Sequence, residues 1–257
     1  MKVGIFDSGV GGITVLKRAM EYLPEADYIY YADNLHVPYG TKPKEEVYGY
    51  VKQIVDFLIK EGVDVIVIAC NTATCIAVQR LRKQTRIPII GMEPAVKLAL
   101  DDNAEGKILV TATPLALTTD KYKSLVKRTD TNHRTVALPL PELVEFAEER
   151  DFDEEKLYAY FKEKLSPYDL NEFQGMVLGC THFVYFRKYL EKILPSHIKV
   201  YDGNEGTVRY LKACLQLNLN NKKKNEWKSK GATQVEFYYS GERCKSLDIL
   251  ETYLKLV

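Results

Sequence analysis

The sequence predicts an α/β protein of two pseudo-symmetric domains, with mainly parallel sheets and an active site in the cleft between them. Two observations predict it. Short β-branched runs alternate with helical patterns along the 257 residues, and such alternation calls for crossover connections between parallel strands. Three landmarks then recur in the same order and at similar spacing: a polar strand end (Asp7, Thr111), a cysteine (Cys70, Cys180) and an acid (Glu93, Asp202).

The elements follow in order. Val3–Phe6 is an apolar run that opens into Asp7-Ser8-Gly9-Val10-Gly11-Gly12. A helix follows, with Val15, Leu16, Ala19 and Leu23 on one face and Pro24 closing it. Tyr28–Tyr31 is a second strand, leading into the loop from Ala32 to Thr41. Glu45–Glu61 has helical periodicity and stops at Gly62; Val63–Ala69 is a third strand. Thr74–Gln84 is helical, and Ile87–Ile90 is a fourth strand ending near Glu93. The second half repeats the plan: Lys107–Val110 leads into Thr111-Ala112-Thr113-Pro114, Gly175–Leu178 into Cys180, and Ile198–Tyr201 into Asp202. The tail adds a helix from Thr207, a strand over Val235–Tyr239 and a helix over Ser246–Leu256. Asn218–Lys230 is polar and lysine-rich and is expected to be an exposed connection. The tail is expected to pack back on the first half. The domains are therefore residues 1–97 with 207–257, and residues 98–206.

Composition excludes several classes. Apolar residues make up 46% of the chain, enough for a sizeable core. With 36 basic and 35 acidic residues the net charge is +1, without the basic excess of a nucleic-acid binder. No run reaches the roughly 20 apolar residues of a membrane span. Met1–Asp7 is too short and too soon acidic for a signal peptide, so a cytoplasmic location is expected. The five cysteines are an odd, sparse set, read as thiols rather than disulfides.

Ligands of parallel sheets bind beyond the carboxyl ends of the strands. Asp7, Ser8, Cys70, Asn71, Thr111, Thr113, Cys180, Thr181 and Asp202 fall there. Cys70 and Cys180 each precede a short polar turn at a helix start, where free N–H groups favour a thiolate. A thiolate can remove a proton and a thiol can donate one. Two of them facing one cleft suit moving a proton between the two faces of a carbon. Cys75, Cys214 and Cys244 read as small apolar residues. His182 can tune Cys180 or carry a proton; its plainer reading is a hydrogen-bonded turn residue. His36, His133 and His197 read as loop or surface residues. Gly9-Val10-Gly11-Gly12 lacks the full dinucleotide spacing and no Walker lysine follows, so a small polar ligand addressed by Asp7 and Ser8 fits better than a nucleotide. Asp7 as a simple turn cap is the competing reading. Cys70, Cys180 and His182 fall short of the four ligands of a zinc site, and no Cys-x-x-Cys marks a redox pair.

The blocks Asp7-Ser8-Gly9-Val10-Gly11-Gly12, Val37-Pro38-Tyr39-Gly40, Ala69-Cys70-Asn71-Thr72-Ala73-Thr74 and Leu178-Gly179-Cys180-Thr181-His182 resemble the signature blocks of bacterial glutamate racemases. They occur in the family's order and span both halves, and Phe237-Tyr238-Tyr239-Ser240-Gly241 is similar to the family's closing strand. The resemblance implies a cofactor-independent racemase that interconverts L- and D-glutamate for peptidoglycan synthesis, with no metal, nucleic-acid or membrane partner and a homodimer as the assembly. It implies Cys70 and Cys180 as the acid/base thiols, with Asp7 assisting the first and His182 the second. Asp7, Ser8, Tyr39, Gly40, Asn71, Thr72, Thr181 and His182 are the implied substrate contacts, and Thr113 is added to them. A family glutamate that assists the second thiol falls at Glu145, within a Leu138–Glu145 run that departs from the usual pattern. Ala32-Asp33-Asn34-Leu35-His36 also departs, standing where Gly-Asp-Thr-Ala-Arg is usual. So does Thr111-Ala112-Thr113, where Gly-Thr is usual. Some members carry an N-terminal extension that binds an activator; this chain begins at its first strand, and no such control is expected. An aspartate racemase and a non-catalytic amino-acid binder are the rival readings.

Overall fold

The computed structural model describes residues 1–102, 105–221 and 234–257. Two sheets carry the fold. The first contains β1 (Lys2–Asp7), β2 (Asp27–Ala32), β3 (Val65–Ile68), β4 (Ile89–Gly91), β9 (Val235–Tyr239) and β10 (Glu242–Arg243) in the order β10-β9-β2-β1-β3-β4. The second contains β5 (Lys107–Ala112), β6 (Thr135–Pro139), β7 (Phe173–Leu178) and β8 (Lys199–Asp202) in the order β6-β5-β7-β8. Every pair is parallel except β9 with β10. The run β2-β1-β3-β4 has the same order as β6-β5-β7-β8, so the repeat seen in the sequence is a repeat of topology.

Eight strands form where the residues predict, and the sequence reading did not foresee β6 or β10. Val65-Ile66-Val67-Ile68 is buried along its whole length, the continuous apolar pattern of a parallel strand covered on both faces. Helices supply the cover: α1 (Ile13–Tyr22), α2 (Lys44–Lys60), α3 (Asn71–Arg82), α4 (Val96–Asp102), α5 (Pro114–Thr118), α6 (Asp120–Thr129), α7 (Glu142–Glu149), α8 (Glu154–Leu165), α9 (Arg187–Ile193), α10 (Asn204–Asn221) and α11 (Asp248–Leu256). In α2, Glu45 and Glu46 stand in the first turn and Lys60 in the last, each matched to the helix dipole. That helix gives way to Gly62 at φ +74°, a left-handed position that suits glycine.

The tail returns to the first sheet. β9 pairs parallel with β2, from Tyr28 opposite Val235 to Ala32 opposite Tyr239, and α10 and α11 pack on α1. Most of the Asn218–Lys230 stretch lies outside the described residues, and 218–221 belong to α10. Ala95, Val96, Ala99 and Leu100 pack with Ile108, Val110 and Val177 of the second sheet, so α4 covers that sheet. Among the described residues no helix is long and apolar enough to cross a membrane.

The connection out of β4 and the connection out of β8 touch where they pass. A Cβ on Gly203 would stand 2.4 Å from the Glu93 carbonyl oxygen, and Thr207 Oγ1 donates to Met92 Sδ at 3.0 Å. Two backbones this close leave no room for a side chain. Gly203→Ala should destabilise the protein by about 1–3 kcal/mol, read by chemical denaturation; unchanged stability would contradict the close crossing.

Candidate active site

The carboxyl ends of the two sheets meet. Asp7 ends β1, and its loop runs through Ser8 to Gly12 into α1. Cys70 follows β3 and caps α3, its Sγ accepting from Ala73 N–H at 3.4 Å. Its Sγ–H donates to Ser8 Oγ at 3.7 Å. Cys180 follows β7 and opens a 3-10 turn, Thr181–Phe186. It caps nothing; its Sγ lies 3.8 Å from His182 Nδ1. The thiols are 5% and 7% exposed, so both lie inside the site rather than on its surface.

Contacts between the sheets bring the expected residues together. Thr181 Oγ1–H donates to Asp7 Oδ2 at 3.0 Å. Thr72 Oγ1 and Thr113 Oγ1 are 2.9 Å apart, and Gly40 lies against the Thr113 side chain. Tyr39 is buried and its hydroxyl donates to Asp33 Oδ2 at 2.5 Å. Asn71 is buried with its Oδ1 unpartnered. The glycines that resembled a phosphate loop have another purpose. A Cβ on Gly9 would fall 1.8 Å from Glu148 Oε1, and one on Gly11 would fall 2.4 Å from His182 Nδ1. They let side chains beside the second sheet approach the backbone of the first.

Glu148 is the residue that sequence reasoning missed. Its Oε1 accepts from His182 Nε2–H at 2.6 Å and from Val10 N–H at 2.8 Å, and its Oε2 accepts from Asn34 Nδ2–H at 2.7 Å. Glu145, to which the resemblance assigned this role, is on the exposed side of α7. The helix accounts for the difference in placement: Glu148 follows buried Val144 by four positions and shares its face. His36 is also more than a surface residue. Its Nδ1 is 2.8 Å from Asp33 Oδ1, and its ring stacks on Tyr50. The two landmark acids lie apart from the thiols: Asp202 pairs with Arg187 and accepts from Asn204 N–H, and Glu93 pairs with Lys121. Thr111 Oγ1–H donates to the Val177 carbonyl between strands. Cys75, Cys214 and Cys244 are part-buried. Among the described residues no three His, Cys, Asp or Glu side chains form a set spaced for a metal ion.

Burial shapes the electrostatics. It pushes the Asp7 carboxyl up, opposed by the His182 charge, Gly9 N–H and the Thr181 hydroxyl. It pushes the Cys70 thiol far above the ordinary range, and the Asp7 charge adds to this. Cys180 contributes to the same rise, so the two sulfurs belong to one electrostatic site. For His182 burial works downward, but hydrogen bonds to Cys180 and Glu148 and the charge of Asp7 outweigh it and hold the imidazole well above its ordinary value. The His182 ring thus lies between the carboxyl groups of Asp7 and Glu148 and beside the Cys180 sulfur.

The Asp/Glu/Hydantoin racemase family model matches residues 13–211. Glutamate racemase from Halothermothrix orenii is 50% identical over 98% of this chain and 99% of its own length. The chain belongs to the glutamate racemases. Glutamate racemase from Francisella tularensis, solved in complex with D-glutamate, superposes with a TM-score of 0.82 at 30% identity, over 99% of this chain and 93% of that one. The Escherichia coli glutamate racemase, solved with L-glutamate and activator UDP-MurNAc-ala, gives a TM-score of 0.82 at 28% identity, over 98% and 94%.

As in any group whose folded value is raised, the stability that His182 contributes is full below its unfolded value of about 6.5 and is lost as pH rises through the folded value. Glu148→Gln removes one of the groups that raises it. The imidazole of that variant should therefore titrate at lower pH, with its stability loss beginning earlier on the alkaline side. NMR titration of the His182 ring checks this, and an unchanged midpoint would contradict it.

Proposed function

We propose that this chain interconverts L- and D-glutamate by a cofactor-independent transfer of the Cα proton between Cys70 and Cys180, and that the D isomer feeds peptidoglycan synthesis. The observation that carries the reading is the pair of buried thiols at equivalent strand ends of two sheets with the same strand order. One sulfur removes the proton from one face of Cα, and the other returns a proton to the opposite face. The proposal takes residues 1–97 with 207–257 as one lobe and 98–206 as the other. The pairing of β9 with β2 supports it, while the packing of α4 favours an inner limit a few residues earlier.

The remaining groups stabilise the charge that develops. The carbanion spreads onto the α-carboxylate, and hydroxyl and N–H donors from Ser8, Thr72, Thr113 and Thr181 suit that charge in a water-poor cleft. Asp7 and the unpartnered Asn71 Oδ1 suit a substrate ammonium. Tyr39 and Gly40, held by Asp33 and pressed against Thr113, suit the far end of the substrate. His182 holds or delivers the proton that Cys180 exchanges, while the buried Cys70 is kept as a thiol and Asp7 is the nearby base.

Cys70→Ser and Cys180→Ser should each lower racemisation by about 10²–10⁴-fold, measured by chiral chromatography of L-glutamate without added cofactor. L-aspartate should turn over more slowly than L-glutamate. Near-normal activity in both variants would overturn the two-thiol mechanism, and preferential turnover of aspartate would overturn the substrate.

A further inference from the structure

The run Ala32–His36 departs from the family's usual run, and through Asn34 it reaches the Cys180 side of the site. Asn34 follows β2 of the first sheet, whereas Glu148 lies on α7 beside the second. The Asn34 amide holds the Glu148 oxygen that faces away from His182, at 2.7 Å. Val10 N–H and His182 Nε2–H hold the other oxygen. The terminal torsion of a glutamate is broad, so its own rotamer preference does not orient the carboxylate. Donors on both oxygens do. The amide orientation is forced as well, because only its NH₂ can face a carboxylate. Its Oδ1 is left buried without a partner, a costly arrangement that accompanies the bond to Glu148.

We propose that Asn34 is a positioning residue for the second thiol: it fixes Glu148, Glu148 fixes His182, and His182 faces Cys180. The proton path of Cys180 is thereby completed by a side chain from the opposite sheet. The inference rests on the two-thiol reading. It also gives a use to one of the residues that depart from the family's usual run.

Losing this support slows only the proton transfer at Cys180. Asn34→Ala should lower kcat about tenfold, the loss of one charge-assisted hydrogen bond, with little change in KM. With Cα-deuterated L- and D-glutamate, the primary isotope effect should rise in the direction where Cys180 removes the proton and fall in the other. Asn34→Asp keeps the shape but sets a carboxylate against Glu148, so it should be at least as impaired as the alanine variant. The proposal is overturned if Asn34→Asp behaves as the unmodified protein, or if the isotope effects move alike in both directions. Cys70→Ser and Cys180→Ser run beside them separate the two failures. If those variants stay active the two-thiol reading has failed; if they are inactive and the Asn34 variants are normal, only the positioning role has.

Discussion

The structure turns on one buried cluster of charge. Asp7, His182 and Glu148 lie together where the carboxyl ends of the two sheets meet, with His182 Nδ1 4.0 Å from Asp7 Oδ1 and Nε2 2.6 Å from Glu148 Oε1. Burying any one of them alone would be prohibitive. They are tolerable as a set because each is paired and each carboxyl group takes further donors, Asp7 from the Gly9 N–H and the Thr181 hydroxyl, Glu148 from the Val10 N–H and the Asn34 amide. The set can form only if the sheets approach closely, and the bare backbone at Gly9 and Gly11 allows that approach. Thus a packing requirement and an electrostatic one are met by the same loop.

This cluster also accounts for how the thiols differ. Their places in the topology are equivalent, one after β3 and one after β7. Their surroundings are not. Cys70 caps a helix and meets Ser8, with burial and the Asp7 charge both opposing its ionisation. Cys180 caps nothing and faces a histidine whose imidazole is held, against burial, well above its ordinary value by Cys180 itself, Glu148 and Asp7. The simple pairing of Asp7 with Cys70 and His182 with Cys180 is only part of the arrangement, since Asp7 also binds Thr181 and faces His182. The acid on one side and the imidazole on the other form one network.

Much of this was legible in the residues because parallel strands advertise themselves as short continuous apolar runs. The strand ends at Asp7, Cys70 and Cys180 follow from those runs, and so does the repeated order. Glu148 was less legible. Helix α7 carries four glutamates, Glu142, Glu145, Glu148 and Glu149, and composition cannot say which faces inward. The buried set Leu143, Val144 and Ala147 could have found it, because Val144 and Glu148 share a face. Asn34 and His36 were harder still. They lie on a loop whose path is set by contacts distant in sequence, Asn34 with α7 and His36 with Tyr50 of α2, and no periodicity encodes such contacts. The acids Glu93 and Asp202 served only to mark the repeat, and they stand where the connections out of β4 and β8 pass each other.

The central claim is that two thiols act from opposite faces of one carbon. Turnover of single enantiomers of glutamate in deuterium oxide, followed by NMR at Cα, tests it most directly. The account predicts that, at low conversion, the product enantiomer carries solvent deuterium while the unconverted substrate keeps its protium. Product that retains the substrate's own hydrogen would mean a single group works both faces, and would contradict it.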